Sequence, residues 1–450
     1  MDREQPPLRF SDLPSCTDPG AIPLRGSREF ELLLGEYCPW RKVRPIARNL
    51  GLKPESAWAM VKGSRLFGWR SLEILQADSS SFCVCLGPHA LEPLHRIDRA
   101  TGGGGPAILA PETGDLGDES MRLRLRFKSL MDEAAESSLI EGAATTRKEA
   151  VELLRSGREP ATTGERMVVN NFVAMQRIKN RLDHALSLEM LIELQTILTR
   201  GTLTKPDEAG RLRRPDEDVR VVDDLGEAIF TPPTAADLPQ RLESLCRFAN
   251  TDHSRGPDFL HPIVKACILH FMIGYEHPFC DGNGRTARAV FYWFALRSGY
   301  DIFEYTAISE LIRKGYARYP QAFLDSELDE GDLTYFVLYH LDIIEQSLDR
   351  LAERLRHEQA KIQRSRAFLR VAKNINLRQR LLLEHALRHP LTHYTVKSHA
   401  NSNGIVLATS RADLDELVRL RLMVTTKKGK QVLYLAAPGL DARLNKKPRR

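Results

Sequence analysis

The sequence predicts a mainly α-helical protein with several domains, and three observations lead to this fold class. The chain has 450 residues, which exceeds the roughly 150 residues of an ordinary single domain. Apolar side chains recur at the spacing typical of helices from Met121 to about Gln359. A Gly- and Pro-rich stretch, TGGGGPA at residues 101–107, separates this helical region from the residues before it. We therefore expect a central helical bundle between two smaller domains.

The composition excludes several classes of protein. Hydrophobic residues make up 42% of the chain and charged residues 28%, which is typical of globular proteins. No apolar run approaches the roughly 18 residues of a membrane span, and the start of the chain has no apolar leader segment. The seven cysteines include Cys83 and Cys85 but no second pair at zinc spacing. We expect a cytoplasmic protein with no membrane partner, disulfide or structural zinc.

Residues 1–107 are predicted to form an N-terminal accessory domain. Two short helices are expected around a turn at Gly51, followed by a strand from Ser81 to Gly87. A packing or adaptor domain and a helix-turn-helix are the two interpretations of this order.

The C-terminal part is strongly basic. Residues 361–450 hold 20 Lys and Arg against 5 Asp and Glu, a net charge of +15, while the residues before them carry −9. After a linker helix at 346–375, the order helix, helix, helix, hairpin over 376–437 predicts a winged helix-turn-helix. Residues 438–450 form a basic tail. A basic end of this kind indicates a polyanionic partner or a solvated face.

The winged helix has two possible partners, DNA or another protein. Lysines of the wing, Lys427, Lys428 and Lys430, favour DNA. The helix that would read DNA is acidic in its first half, which argues against insertion into a groove lined by phosphates. Its acidic residues are Asp413, Asp415 and Glu416.

A loop between two predicted helices carries the residues that decide the function. Its sequence is HPFCDGNGRTAR, from His277 to Arg288. Gly282, Asn283 and Gly284 readily adopt positive φ angles, which turn backbone N–H groups toward one point, and the helix that follows adds its dipole. The loop is therefore expected to form an anion-binding nest that suits phosphates.

Side chains around this nest suit phosphate chemistry. His277 offers a neutral imidazole as a base, and Asp281 is a hard oxygen ligand for Mg²⁺. Arg285 and Arg288 neutralise charge from neighbouring positions on one helix face. Each residue type alone is usually structural, but their joint spacing indicates phosphoryl or nucleotidyl transfer. Cys280 is expected to be a spectator thiol, the alternative being a reactive thiol near a helix N-terminus.

This loop resembles the signature of the Fic family, His-Pro-Phe-x-(Asp/Glu)-Gly-Asn-Gly-Arg-x-x-Arg, and matches every specified position. The resemblance extends upstream through His261, Pro262 and His270 and downstream past Tyr319, over about residues 121–345. It implies a Fic-type helical bundle with a β-hairpin flap. It also implies transfer of AMP from ATP to a Ser, Thr or Tyr hydroxyl of a target protein, and self-modification.

The resemblance implies roles for the residues of the loop by position. His277 removes the proton of the attacking hydroxyl, and Asp281 holds Mg²⁺, the implied cofactor, on the phosphates of ATP. The backbone of the loop cradles the α- and β-phosphates, and the two arginines meet the β- and γ-phosphates. The implied nucleotide-binding residues are Gly282, Asn283, Gly284, Arg285 for the β-phosphate and Arg288 for the γ-phosphate.

Two further segments resemble parts of the family. Ser137-Ser-Leu-Ile-Glu141-Gly142 looks like the inhibitory motif (Ser/Thr)-x-x-x-Glu-(Gly/Asn), in a helix expected at about 122–142. It implies that Glu141 pairs with Arg288, displaces the γ-phosphate and keeps basal activity low, since a guanidinium binds carboxylate and phosphate alike. A predicted hairpin corresponds to the flap that binds the target by edge-strand pairing. Its candidate residues are Val219, Arg220, Val221 and Val222.

Alternatives to AMP transfer remain open. The basic C-terminal part favours a DNA-binding regulator whose Fic site senses nucleotide. A third possibility is an enzyme that removes AMP from modified proteins, with Glu141 orienting a water molecule. The resemblance also agrees with a homodimer.

Overall fold

The computed structural model describes most of the chain, in two compact units. The described residues are 7–13, 27–101, 119–222, 228–368, 375–389, 391–429 and 431–440. The first unit comprises residues 1–99, 176–299 and 311–346, and the second comprises 100–175, 300–310 and 347–450. The described residues before 100 thus group with the central helices. The domain boundaries drawn from the sequence remain predictions. Most of the Gly-rich linker and the end of the basic tail lie outside the described residues.

The mainly α-helical fold class is confirmed, and the strands of the described residues form two-stranded antiparallel hairpins. The first elements are α1 Arg28–Gly35, α2 Trp40–Asn49, α3 Pro54–Arg65, β1 Trp69–Leu75, β2 Ser81–Cys85 and α4 Pro88–Thr101. The central elements are α5 Glu119–Ile140, α6 Arg147–Ser156, α7 Thr163–Lys179, α8 Leu188–Thr199, β3 Val221–Val222, β4 Ala228–Phe230, α9 Leu238–Asn250, α10 Pro262–Glu276, α11 Asn283–Arg297, α12 Ile308–Lys314, α13 Arg318–Leu328 and α14 Thr334–Phe368. The last elements are α15 Leu377–Arg388, α16 Val396–Asn403, α17 Leu407–Arg419, β5 Met423–Lys428 and β6 Gln431–Ala436. No described helix has both the length and the apolarity that a bilayer crossing requires.

The N-terminal region is packed onto the central helices of the first unit. Helices α2 and α3 flank Gly51, whose φ of +70° ends α2 with a left-handed turn. The ring of Phe82 on β2 packs edge-on against Phe271 and Tyr275 of α10, at centroid distances of 5.8 and 5.1 Å. Lys62 of α3 is fully buried and binds Asp329 at 2.7 Å. This region therefore supports α10, the helix that leads into the Fic-like loop.

Helices α10 and α11 form the centre of the first unit. Almost every residue of both helices is buried, and apolar side chains predominate in α10 and in the second half of α11. Pro262 stands at the first turn of α10, where its missing N–H costs nothing, and the side chain of His261 accepts a hydrogen bond from the main chain of Ile263. The six-residue connection from α10 to α11 is the loop from His277 to Gly282.

The second unit brings α5 together with the C-terminal elements. The side chain of Asn401 on α16 donates to the carbonyl of Leu154 on α6 at 3.1 Å. Gly404 follows α16 with a φ of +63°, and a Cβ there would lie 3.1 Å from the carbonyl oxygen of Leu123 on α5. This close approach and the positive φ angle both favour glycine at this position. Helix α16 therefore packs tightly on α5 and α6.

The C-terminal elements follow the order helix, helix, helix, hairpin that the sequence predicted. Tyr394, between α15 and α16, also pairs with Tyr434 of β6. Asp413 of α17 points into this region, where it binds Arg378 at 2.7 Å and His399 at 3.2 Å. One of the three acidic residues that argued against DNA is thus internal. The assignment as a winged helix and its partner stay predictions.

Candidate active site

The loop between α10 and α11 is closed by one side chain. The Oδ1 of Asn283 accepts a hydrogen bond from the main-chain N–H of Phe279 at 2.9 Å, and its Nδ2 donates to the carbonyl of Phe279 at 2.8 Å. Asn283 is 3% exposed, so both bonds are shielded from water. The asparagine of the motif therefore fixes the shape of the loop.

The backbone angles of the nest differ from the expectation. Gly282 has a φ of +91°, but Asn283 and Gly284 belong to the first turn of α11 and are right-handed. The expectation of positive φ angles at all three positions is wrong. Positive φ angles at Asn283 and Gly284 are not needed to bind an anion, because the first N–H groups of a helix have no partner within the helix and point beyond its N-terminus. The φ of Gly282 strains any other residue, and a Cβ there would also lie only 3.1 Å from the Cγ2 of Thr199, so glycine is favoured at this position.

His277 ends α10 in an unusual conformation. Its φ of +45° and ψ of +56° are left-handed, which costs a non-glycine residue about 1–2 kcal/mol. Its Nδ1 lies 3.2 Å from the carbonyl oxygen of Gly274. Because a carbonyl only accepts hydrogen bonds, Nδ1 carries a proton in this contact, and in the neutral ring Nε2 then has the lone pair. His277 is thus set up to accept a proton at Nε2.

Asp281 and Arg285 bind each other. The Nη2 of Arg285 lies 3.1 and 3.2 Å from the two carboxylate oxygens of Asp281, and its Nη1 donates to the carbonyl of Leu198 at 2.9 Å. The side chain of Arg285 is fully buried, whereas that of Asp281 is 45% exposed. The residues assigned to Mg²⁺ and to the β-phosphate therefore form an ion pair at the start of α11.

The carboxylate of Asp281 fits a Mg²⁺ site that phosphates complete. A carboxylate offers about four lone-pair sites. Besides the contacts of Arg285, its Oδ1 accepts a hydrogen bond from the N–H of Gly282 at 2.6 Å. Mg²⁺ in nucleotide sites is usually held by one or two carboxylates together with substrate phosphates. A single half-exposed carboxylate beside a helix N-terminus meets that requirement.

Cys280 lies next to a second group of possible ligands, Glu208 and Glu217. Glu217 is already bound by the guanidinium of Arg211 at 2.5 Å. Burial raises the pKa of the Cys280 thiol, and the neighbouring charge of Glu217 contributes, to about 12. A protonated thiol is a poor nucleophile and a poor metal ligand. These contacts support the interpretation of Cys280 as a spectator.

Arg288 lies on the buried side of α11. It is 1% exposed, as deeply buried as Arg285. His270 of α10 is close to it, and its Nε2 lies 2.8 Å from the hydroxyl of Tyr319. Burial lowers the pKa of His270 well below its usual value, helped by the neighbouring His340 and by the charge of Arg288. His270 is therefore neutral, and the upstream and downstream parts of the family resemblance meet beside α11.

Two residues of the site were missed by the sequence analysis. The side chain of Arg213 donates to the carbonyl of His277 at 2.8 Å. Gln195 of α8 accepts a hydrogen bond from the N–H of Gly210 at 2.7 Å and donates to the carbonyl of Asp281 at 3.4 Å. Both residues contact main chain far away in sequence, and no local pattern marks such contacts.

The predicted flap is present as a short hairpin. Val221 of β3 pairs with Phe230 of β4, and Val222 pairs with Ala228. The ring of Phe230 lies 5.4 Å from that of Tyr275, which ties the hairpin to α10. The strand is shorter than the candidate segment, because Val219 and Arg220 precede it. Residues 223–227 and the side chain of Val222 lie outside the described residues, and target binding stays a prediction.

The predicted inhibitory motif ends α5 in the second unit. Gly142 has a φ of +79°, its N–H donates to the carbonyl of Leu139 at 3.2 Å, and the N–H of Ala143 donates to that of Ser138 at 3.1 Å. These two bonds form a Schellman motif, in which Glu141 is the C-cap residue. Ser137 is buried. Pairing of Glu141 with Arg288 stays a prediction.

Comparison with known proteins identifies similar sequences and structures. Residues 185–295 match the model of the Fic/DOC family. A stretch of 118 residues is 32% identical to the protein adenylyltransferases Fic of Drosophila melanogaster and Drosophila sechellia, and covers 26% of this chain and 22% of theirs. The match thus spans about a fifth of the length of these relatives. The fold is similar to that of Fic-1 from C. elegans, with a TM-score of 0.50 and 18% identity over 75% of this chain and 87% of that chain.

Proposed function

Because residues 185–295 match the model of the Fic/DOC family, we propose that the protein transfers AMP from ATP to a Ser, Thr or Tyr hydroxyl of a target protein and of itself. The observation that carries this proposal is the geometry of the loop. The Nδ1 of His277 lies 3.2 Å from a carbonyl oxygen. The loop that follows His277 leads into the N-terminus of α11, whose N-cap is Gly282. A base next to an anion nest suits transfer of a phosphate ester. The similarity to the Drosophila adenylyltransferases supports the same reaction class.

In the proposed step, the hydroxyl oxygen of the target attacks the α-phosphorus of ATP. The Nε2 of His277 accepts the hydroxyl proton as the new oxygen–phosphorus bond forms. The bond from the α-phosphorus to its bridging oxygen breaks, and pyrophosphate leaves. No covalent intermediate with the protein is needed, so the work of the protein is positioning and charge stabilisation.

The start of α11 supplies this stabilisation. Its free N–H groups and dipole favour negative charge on the phosphates. Asp281 would hold Mg²⁺, which when bound neutralises charge on the phosphates. Since Arg285 and Asp281 now bind each other at 3.1 Å, phosphates and a cation would compete with this ion pair. We propose that binding of the nucleotide loosens the pair and lets both groups serve the phosphates.

We further propose that Glu141 inhibits the protein by competing with the γ-phosphate of ATP. Helix α5 is held by buried carboxylates: Asp132 and Glu136 bind Arg147 at 3.0 and 2.9 Å, and Glu133 accepts a hydrogen bond from the N–H of Ser309 at 3.1 Å. A carboxylate at the end of a firmly held helix suits a fixed competitor of the γ-phosphate. Basal activity is therefore proposed to be low.

The label that is transferred tests this reaction directly. The Glu141→Gly variant is incubated with Mg²⁺ and with ATP labelled at either the α- or the γ-phosphate. Transfer of AMP puts the α-label on protein and leaves the γ-label in pyrophosphate. Incorporation of the γ-label alone would show that the protein transfers a phosphoryl group instead of AMP. Incorporation of neither label would show that it transfers neither group.

DNA binding by the C-terminal part is the second candidate function. Two acidic residues of α17 are paired with arginines: Asp413 binds Arg378 at 2.7 Å, and Glu416 binds Arg419 at 2.6 Å. The net charge of +15 in residues 361–450 is then less opposed at this surface. Fluorescence anisotropy with duplex DNA should show affinity that falls steeply with salt. Salt-independent or absent binding would favour protein docking, which the exposed Val406 and Leu407 suit.

A further inference from the structure

Arg213 binds the main chain on both sides of the proposed base. Its Nε donates to the carbonyl of His277 at 2.8 Å, and its Nη2 donates to the carbonyl of Glu276 at 3.3 Å. Its own main-chain N–H donates to the carbonyl of Pro278 at 2.9 Å. Nη2 also donates to the carbonyl of Pro233. One residue thus holds three consecutive carbonyls where α10 ends.

The end of α10 explains why these contacts matter. The last carbonyls of a helix have no partner within the helix. A guanidinium meets them with several donors in a fixed planar arrangement, which an ammonium cannot reproduce. The left-handed position after a helix is usually occupied by glycine, but here it is His277, with a φ of +45°. Such a strained residue persists only where its surroundings hold it.

The burial of Arg213 shows that its role is not that of an ordinary surface arginine. It is 7% exposed, and burial lowers the pKa of its guanidinium. Its hydrogen-bond acceptors in the described residues are carbonyl oxygens. The carboxylate of the neighbouring Glu276 is instead bound by Arg241, at 2.7 and 2.8 Å. A buried cation directed at main chain is suited to setting a conformation.

We infer that Arg213 is the positioning residue for the proposed reaction, because it holds His277 in the left-handed conformation from which Nε2 acts as the base. Its effect on rate rests on the proposed function, whereas its effect on His277 is measurable without any activity. The two consequences can therefore be tested apart.

The rate test uses the Glu141→Gly protein as the parent. Arg213→Met should lower kcat about 100-fold, the cost of misplacing a catalytic group by about 1 Å, and should leave the KM for ATP near the parental value. The kcat of Arg213→Lys should lie between those of the parent and of Arg213→Met, because an ammonium group retains part of the hydrogen bonds. Arg247→Met is the matched control, since Arg247 is an exposed arginine of α9, and should keep the parental kcat.

The conformational test uses the otherwise unchanged chain. With ¹³C-labelled histidine, the imidazole resonance of His277 is assigned by its loss in His277→Ala. Arg213→Met should shift this resonance toward that of a solvent-exposed histidine, while Arg247→Met should leave it in place. If Arg213→Met lowers the melting temperature so far that it does not fold, Arg213→Lys carries both comparisons.

The outcomes separate the inference from the proposed function. A parent without label incorporation would reject adenylyl transfer, and the His277 resonance would still decide the role of Arg213. An unmoved resonance in Arg213→Met would overturn the inference whatever happens to kcat. A moved resonance together with a lower kcat would establish Arg213 as the residue that positions the base.

Discussion

Helices α10 and α5 both end beside a residue with a proposed role, and they end in different ways. At the end of α10, His277 itself occupies the left-handed position, with a φ of +45°. At the end of α5, Glu141 is followed by Gly142, which takes that position with a φ of +79°. The proposed base is thus strained and held by distant residues, whereas the proposed inhibitor is held by a local capping motif. Substitutions that disturb the backbone near the end of α10 should therefore cost more than substitutions that disturb the backbone at the end of α5.

The largest expected effect is the loss of the charge at Asp281. Asp281→Asn removes the carboxylate that fits Mg²⁺ and the partner of Arg285. We expect transfer by the Glu141→Gly parent to fall at least about 100-fold, because metal stabilisation of phosphoryl charge is worth several kcal/mol. Label incorporation measured over a Mg²⁺ titration checks this. If Asp281→Asn kept the parental activity at saturating Mg²⁺, Asp281 would not be the residue that holds the metal.

The next effect concerns the closure of the loop. Asn283→Ala leaves the N–H and carbonyl of Phe279 buried without their partners. The free energy of unfolding should fall by about 2–6 kcal/mol, since each of the two unsatisfied buried groups costs about 1–3 kcal/mol. Urea unfolding measures it. A fall below about 1 kcal/mol would show that the loop does not depend on this side chain.

The smallest effect is expected at the end of α5. Gly142→Ala should lower the free energy of unfolding by about 1–2 kcal/mol, because alanine tolerates a left-handed φ poorly, and Gly142→Asn should cost less. Gly299→Ala is the matched control, with a φ of +87° and no atom near the added Cβ. Equal losses at Gly142 and Gly299 would confirm that capping at α5 is local. A much larger loss at Gly142 would show that contacts beyond the capping motif hold the end of α5.

The same contrast explains what the sequence predicts well. The motif loop, the helices around it and the Glu141-Gly142 helix end follow from short patterns, because capping and helical periodicity act within a few residues. The hairpin at Val221 was also visible, as valines among turn-forming residues.

Contacts over long sequence distances were not visible in the sequence. Arg213 stands 64 positions before His277, in a segment with several other arginines, and nothing local distinguishes it from them. The ion pair of Asp281 with Arg285 and the inward orientation of Asp413 likewise depend on which neighbours the fold supplies. Predicting these features requires the tertiary structure, because the acceptors come from other elements.

Label transfer from α-labelled ATP with Mg²⁺ tests whether His277 catalyses adenylyl transfer that Glu141 inhibits. Three proteins are compared: wild type, Glu141→Gly, and the Glu141→Gly/His277→Ala double variant. We expect strong labelling of the Glu141→Gly protein, weak labelling of the wild type and none of the double variant. Absence of label in all three, despite tight ATP binding, would contradict this expectation. Equal labelling of wild type and Glu141→Gly would contradict the inhibitory role of Glu141.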